Sequence, residues 1–152
     1  MRRDRGIAGI AIVASLLAGC AGSATKAAPP EAHDLKGTLV MHGIYGEDFT
    51  TDLYGTEDED PIGRTCFPAG GYADLADDKV TVKSESGTVV GVGTLGGGTV
   101  AAIDRCEFHF VVRDLPQAAF YQLEIGQGRR GTLRYSHAKL AGMGWKVSAR
   151  VG

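Results

Sequence analysis

The segment 106–112 (CEFHFVV) alternates apolar with polar side chains, and this pattern constrains the fold more than any other. The apolar side chains on one face are Cys106, Phe108, Phe110 and Val112, with Glu107 and His109 on the other face. A period of two predicts a β-strand with one buried face. Further runs of the same kind occur at 79–83, 120–125 and 145–151, and many of the 23 glycines lie between them. The sequence therefore predicts short strands joined by tight turns.

Further strands are expected at 36–44, 88–95, 99–103 and 131–135. A Ser-capped helical turn is expected at 136–140, before Gly142. The segment 45–65 is acidic and poor in apolar residues, so we expect a long exposed loop there. The whole predicts an all-β domain, an antiparallel β-sandwich of immunoglobulin-like or transthyretin-like type, with a small barrel as the alternative.

The first nineteen residues have the features of an export signal. A positive start, MRRDR, precedes an apolar run of eleven residues from Ile7 to Leu17, which is too short to span a bilayer of about 30 Å. The pair Arg2-Arg3 leaves twin-arginine export open, although an ordinary positive segment fits the context better. With this signal removed, the formal net charge of −2 becomes −4.

The signal ends in Leu17-Ala18-Gly19-Cys20, which resembles the lipobox of bacterial lipoproteins. The resemblance implies that a diacylglyceryl group modifies Cys20 and anchors the chain in a membrane, on its extracytoplasmic face. Two acyl chains suffice for stable anchoring. The alternative is an ordinary secretory signal with an incidental cysteine. The layout as a whole is similar to that of small actinobacterial lipoproteins, a resemblance that implies location and fold without an activity.

The predicted organisation is a signal peptide at 1–19, a lipidated cysteine with a flexible tether at 20–34, and a β-sandwich domain at 35–152. The tether is rich in Ala and contains Pro29-Pro30, and it could extend about 45 Å at most. His33 lies in this segment and is expected to be solvated.

Two cysteines, Cys66 and Cys106, remain once Cys20 is lipidated. An even count in an exported domain predicts a structural disulfide. The alternative is a reactive thiol, which the apolar face around Cys106 disfavours.

The acidic segment offers a weak calcium site, because hard cations prefer carboxylate oxygens. Its candidate ligands are Asp52, Glu57, Asp58, Glu59 and Asp60, with Asp48 nearby. The spacing is not that of an EF-hand loop, so solvated carboxylates are the simpler interpretation. A second acidic patch comprises Asp74, Asp77 and Asp78. No cofactor is predicted.

Hydrolysis would need a base and a nucleophile. His109 and Glu107 share one strand face and could share a hydrogen bond, but no nucleophile motif accompanies them. Lys and Arg are scattered along the domain, which argues against nucleic acid as a partner. Four aromatic rings could leave one or two exposed for an envelope protein or a glycan; these are Phe67, Tyr72, Phe120 and Tyr121.

The stretch DKVTVKSESGTVVGVGTL, at 78–95, resembles the strand–turn–strand unit of carboxypeptidase-regulatory and prealbumin-like sandwich domains. A tethered, disulfide-linked domain without a catalytic motif favours a membrane-anchored, non-enzymatic binding or structural module of the cell envelope. The alternatives are an envelope hydrolase that uses His109 and loop carboxylates, and a calcium-stabilised adhesion module.

Overall fold

The computed structural model describes residues 31–52, 60–76 and 78–152. These residues form ten strands, a 3-10 helix at Gly70–Leu75 and one α-helix, α1, at His137–Gly142. The strands are β1 His33–His42, β2 Phe49–Thr51, β3 Thr65–Pro68, β4 Lys79–Ser84, β5 Val89–Thr94, β6 Gly98–Ala102, β7 Arg105–Leu115, β8 Phe120–Ile125, β9 Thr132–Ser136 and β10 Lys146–Val151. The expected all-β character is confirmed.

The strands form two sheets. One has six strands in the order β10-β1-β7-β6-β3-β2, and the other has four in the order β5-β4-β8-β9. Neighbouring strands are antiparallel with one exception, because β1 and β10 run parallel, with Lys36 opposite Lys146 and Met41 opposite Val151. The expectation of purely antiparallel pairing is wrong at this pair. A parallel pair needs a long connection, and here nearly the whole domain supplies it.

The two sheets bury their alternating apolar residues in one core. The four apolar side chains predicted for one face of β7 are all buried, as are the alternating side chains of β8, namely Tyr121, Leu123 and Ile125. Leu35, Leu39 and Met41 of β1 contribute from the neighbouring strand. The period-two prediction is therefore confirmed for β7 and β8.

Glycines let β5 approach β7 closely and so join the two sheets along one side. A Cβ atom on Gly91 would lie 2.6 Å from a methyl carbon of Val112, and one on Gly93 would lie 2.5 Å from the carbonyl oxygen of Val111. Any side chain at either position would push the strands apart. The predicted hairpin of β4 and β5, with its turn at Glu85–Thr88, is present.

The structure departs from the predicted loop at 45–65. Phe49 is fully buried and Thr51 nearly so, and the short strand that contains them pairs with β3. Three residues are too few to show a period, so the acidic composition of the segment masked this strand. Residues 53–59 lie outside the described part.

β1 begins earlier than expected. His33 is already paired with Leu115 of β7, so the last two residues of the predicted tether belong to the sheet. The expectation of a solvated His33 is wrong, because its ring stacks on Trp145 with centroids 4.1 Å apart. Residues 1–30, which include Cys20, lie outside the described part.

Candidate functional site

The disulfide joins Cys66 of β3 to Cys106 of β7, with a Cα–Cα distance of 6.3 Å and a sequence separation of 40 residues. Both cysteines are almost completely buried. Gly98 of β6 lies against the bond, because a Cβ atom there would be 2.6 Å from each sulfur atom. The predicted disulfide is present and lies in the core. Because the two sulfur atoms are bonded to each other, neither cysteine offers a free thiol.

The acidic candidates do not assemble into a cation site within the described residues. Asp52 and Asp60 are exposed, and a carboxylate oxygen of Asp60 accepts the backbone N–H of Ile62 at 2.9 Å. The other three candidates, Glu57, Asp58 and Glu59, lie outside the described part. Across 31–52, 60–76 and 78–152, no three His, Cys, Asp or Glu side chains lie close enough together to hold a metal ion.

The second acidic patch is held in structural contacts. Asp74 forms an ion pair with Arg130, whose guanidinium also lies over the ring of Tyr72. Asp78 accepts the backbone N–H of Lys79 at 2.7 Å. The third residue of the patch, Asp77, is outside the described residues. These contacts close one end of the four-stranded sheet.

His109 and Glu107 do not bond to each other. His109 Nδ1 shares a hydrogen bond of 3.1 Å with Thr38 Oγ1 on β1, and Glu107 pairs with Arg105 Nε at 3.3 Å on its own strand. His109 is exposed on an open sheet face. The side chains proposed for a hydrolase therefore have other partners, and the geometry gives that alternative no support.

Two of the four candidate rings are exposed, as expected. Phe67 is 50% exposed and Phe120 is 54% exposed, whereas Tyr121 is buried. Phe67 belongs to the six-stranded sheet and Phe120 to the four-stranded sheet. Because they lie on different sheets, they do not form one aromatic surface.

The outer face of β10, β1 and β7 brings together cationic side chains from distant parts of the sequence. We call it the basic face and define it by Lys36, Arg113, Lys146 and Arg150. All four are exposed, and none forms an ion pair with another described residue. The chain as a whole carries a net charge of −2, so this face opposes the overall sign.

A shallow groove of about 280 Å³ crosses the basic face. Lys36 and Lys146 line it from adjacent strands, and the hydrogen-bonded pair Thr38 and His109 forms the next row. The groove therefore combines two ammonium groups with a hydroxyl and an imidazole. Both ammonium groups can donate hydrogen bonds to an oxyanion, and the Thr38–His109 pair keeps one further donor, either the hydroxyl or the ring N–H that is not used in their mutual bond.

Sequence reasoning missed this face, because its residues are single lysines and arginines near opposite ends of the domain. Only the parallel pairing of β1 with β10 makes Lys36 and Lys146 neighbours. One local signal was available. Lys146, Ser148 and Arg150 are the polar, outward set of the last predicted strand, but nothing in the sequence says which strand lies beside it.

An aromatic cluster closes the end of the fold at which β1 begins. Trp145 stacks on His33 and contacts His137 edge-on, with ring centroids 5.3 Å apart. Tyr121 packs edge-on against Trp145 from the core side, at 5.7 Å. The contacts fix the first residues of β1 next to the start of β10.

No protein-family model, curated protein or solved structure matches this chain. Within the described residues, no helix is long and apolar enough to cross a membrane.

Proposed function

We propose that the chain is an extracytoplasmic lipoprotein, anchored to a membrane through Cys20, whose β domain is a non-enzymatic binding module of the cell envelope. The observation that carries the proposal is the buried disulfide between Cys66 and Cys106. Cytosolic thiols are kept reduced, whereas structural disulfides are typical of exported domains. The disulfide and the lipobox thus support the same compartment independently.

The anchor is the second part of the proposal. The segment Leu17-Ala18-Gly19-Cys20 ends a positive and apolar leader, and a diacylglyceryl group on Cys20 would hold the mature chain on the membrane. The described fold begins at His33, so the intervening segment could extend about 45 Å at most. A domain on such a tether could either rest on the bilayer or reach a partner above it.

The fold type belongs to the same proposal. We favour an immunoglobulin-like sandwich over a transthyretin-like one because of Tyr121, the second residue of β8. Its hydroxyl donates to the carbonyl of Pro116 at 2.9 Å and accepts the N–H of Ala118 at 3.0 Å. A tyrosine that bonds back to the backbone upstream of its strand is a hallmark of immunoglobulin-like sandwiches. The disulfide differs from theirs, since it links two strands of one sheet.

The test is a Cys20→Ser variant expressed in the native host. We expect the wild-type chain in the membrane fraction, with a mass increase equal to its acyl groups, and the variant in the soluble extracytoplasmic fraction. The matched control is the double variant Cys66→Ala/Cys106→Ala, which removes two other cysteines and should stay in the membrane fraction. Membrane retention of unacylated Cys20→Ser would overturn the proposal.

A further inference from the structure

The basic face contains two neighbouring lysines, and the one carboxylate of β1, Asp34, accepts the backbone N–H of Asp114 at 3.1 Å. Lys36 and Lys146 are partners in the β1–β10 register and both point to solvent. Like charges directly opposite each other destabilise a sheet. No described carboxylate pairs with either lysine. An external anion would turn this repulsion into a favourable contact.

The position of the face relative to the start of the fold suggests which anion. β1 begins at His33, and Lys36 lies three residues further along the strand, about 10 Å away. Trp145, which stacks on His33, directly precedes Lys146. The segment that leads to Cys20 therefore joins the domain beside the two lysines.

We propose that the basic face docks onto the anionic phospholipid headgroups of the membrane that holds the anchor. This inference rests on the anchoring proposed above. The chemistry recognised is the headgroup phosphate, and the groove offers it the ammonium groups of Lys36 and Lys146. Val111, 39% exposed on the same face, lies opposite Lys36 on the side away from Lys146 and supplies an apolar contact beside the charges.

Because the domain is tethered to the membrane, a weak electrostatic attraction is sufficient to dock it there. Docking of an anchored domain is intramolecular, so a connection of about 45 Å at most gives the face a high effective concentration at the bilayer. Each basic residue near an anionic surface contributes roughly fivefold to the docking equilibrium. The contribution falls as salt shortens the screening length.

The test uses the full-length acylated chain, reconstituted into vesicles of phosphatidylcholine alone or with phosphatidylglycerol. Trp145 is the only tryptophan in the chain, so energy transfer from it to dansyl-labelled headgroups reports how close the basic face lies. We expect higher transfer in the anionic vesicles, and a decrease on adding sodium chloride. The variant Lys36→Gln/Lys146→Gln should lower the docked-to-undocked ratio roughly 25-fold, and each single variant roughly fivefold.

The matched control is Lys79→Gln/Arg129→Gln, which changes the net charge equally. Lys79 and Arg129 are exposed and belong to β4 and to the turn after β8. Neutralising Lys36 and Lys146 relieves their mutual repulsion, and the two control positions are exposed. Thermal melts should therefore show that both double variants are folded. Equal transfer in the two kinds of vesicle, or an equal loss in the control variant, would overturn the docking proposal.

Two further measurements distinguish failure of the anchor from failure of docking, and lipid headgroups from a free anion. Flotation of wild-type and Cys20→Ser chains with zwitterionic vesicles tests the anchor alone. If the proposed anchoring is wrong, both chains will float equally or not at all, whatever the energy transfer shows. Inorganic phosphate, added at the same ionic strength as chloride, should displace the domain no more than chloride does. Preferential displacement by phosphate would show a site for a free anion and would overturn the lipid assignment.

Discussion

Reduction of the Cys66–Cys106 disulfide should cost this domain much of its stability. The bond closes a loop with a sequence separation of 40 residues. On the chain-entropy model, a loop of that length restricts the unfolded chain by about 4 kcal/mol at 25 °C. For a domain of roughly 120 residues, 1 kcal/mol moves the melting temperature by about 4 °C, so the expected loss is about 15 °C.

The assay is thermal unfolding followed by circular dichroism, with and without a reductant that leaves the sulfur atoms in place. Comparing the oxidised and reduced wild-type chain isolates the cross-link, because no core atom is removed. The double variant Cys66→Ala/Cys106→Ala should melt lower still, since both side chains are buried and their removal leaves a cavity. A fully reduced protein that melts within about 5 °C of the oxidised form would refute the loop-entropy reasoning.

Three smaller perturbations test local features. Gly98→Ala should lower the free energy of unfolding by about 1–3 kcal/mol, because the new Cβ atom would lie 2.6 Å from both disulfide sulfurs. The control is Gly142→Ala, where the new Cβ atom would meet open space, and chemical denaturation measures both variants. Ser136→Ala should cost about 1 kcal/mol, because the Ser136 hydroxyl accepts the N–H of Lys139 and caps α1, whereas Ser136→Asp should retain most of the stability. Burial raises the pKa of Tyr135 from its ordinary value of 10.0. The folded chain therefore holds this proton more tightly than the unfolded chain, and stability present below pH 10 is lost as the pH rises through the folded pKa. The melting temperature of Tyr135→Phe should fall less steeply above pH 10 than that of the wild-type chain, and an identical fall would contradict the assignment.

Much of the local structure could be predicted because it depends on neighbours in sequence. The buried face of β7 follows from its alternation, and the hairpin of β4 and β5 follows from alternation around a Gly-containing turn. The helical turn capped by Ser136 is confirmed for the same reason. In each case the determining contacts lie within a few residues.

The remaining features could not be predicted because they depend on which strands are neighbours. The parallel pairing of β1 with β10 leaves no periodic signal in either strand, so the position of Lys36 opposite Lys146 could not be predicted. The strand Phe49–Thr51 is too short for a pattern and is stabilised by its pairing with β3. The environment of His33 could not be predicted for the same reason, because the ring on which it stacks, Trp145, lies near the other end of the sequence.

The place of β1 in the middle of three strands has a mechanical consequence. A pull along the N-terminal segment enters the fold at His33 and acts along β1, which is hydrogen-bonded to β7 on one side and to β10 on the other. Hydrogen bonds that run across a strand are loaded together in shear by such a pull, and both ladders must yield at once. An edge strand pulled sideways would instead lose its bonds one at a time. The strand through which a tethered chain would transmit force is therefore held by hydrogen bonds on both sides.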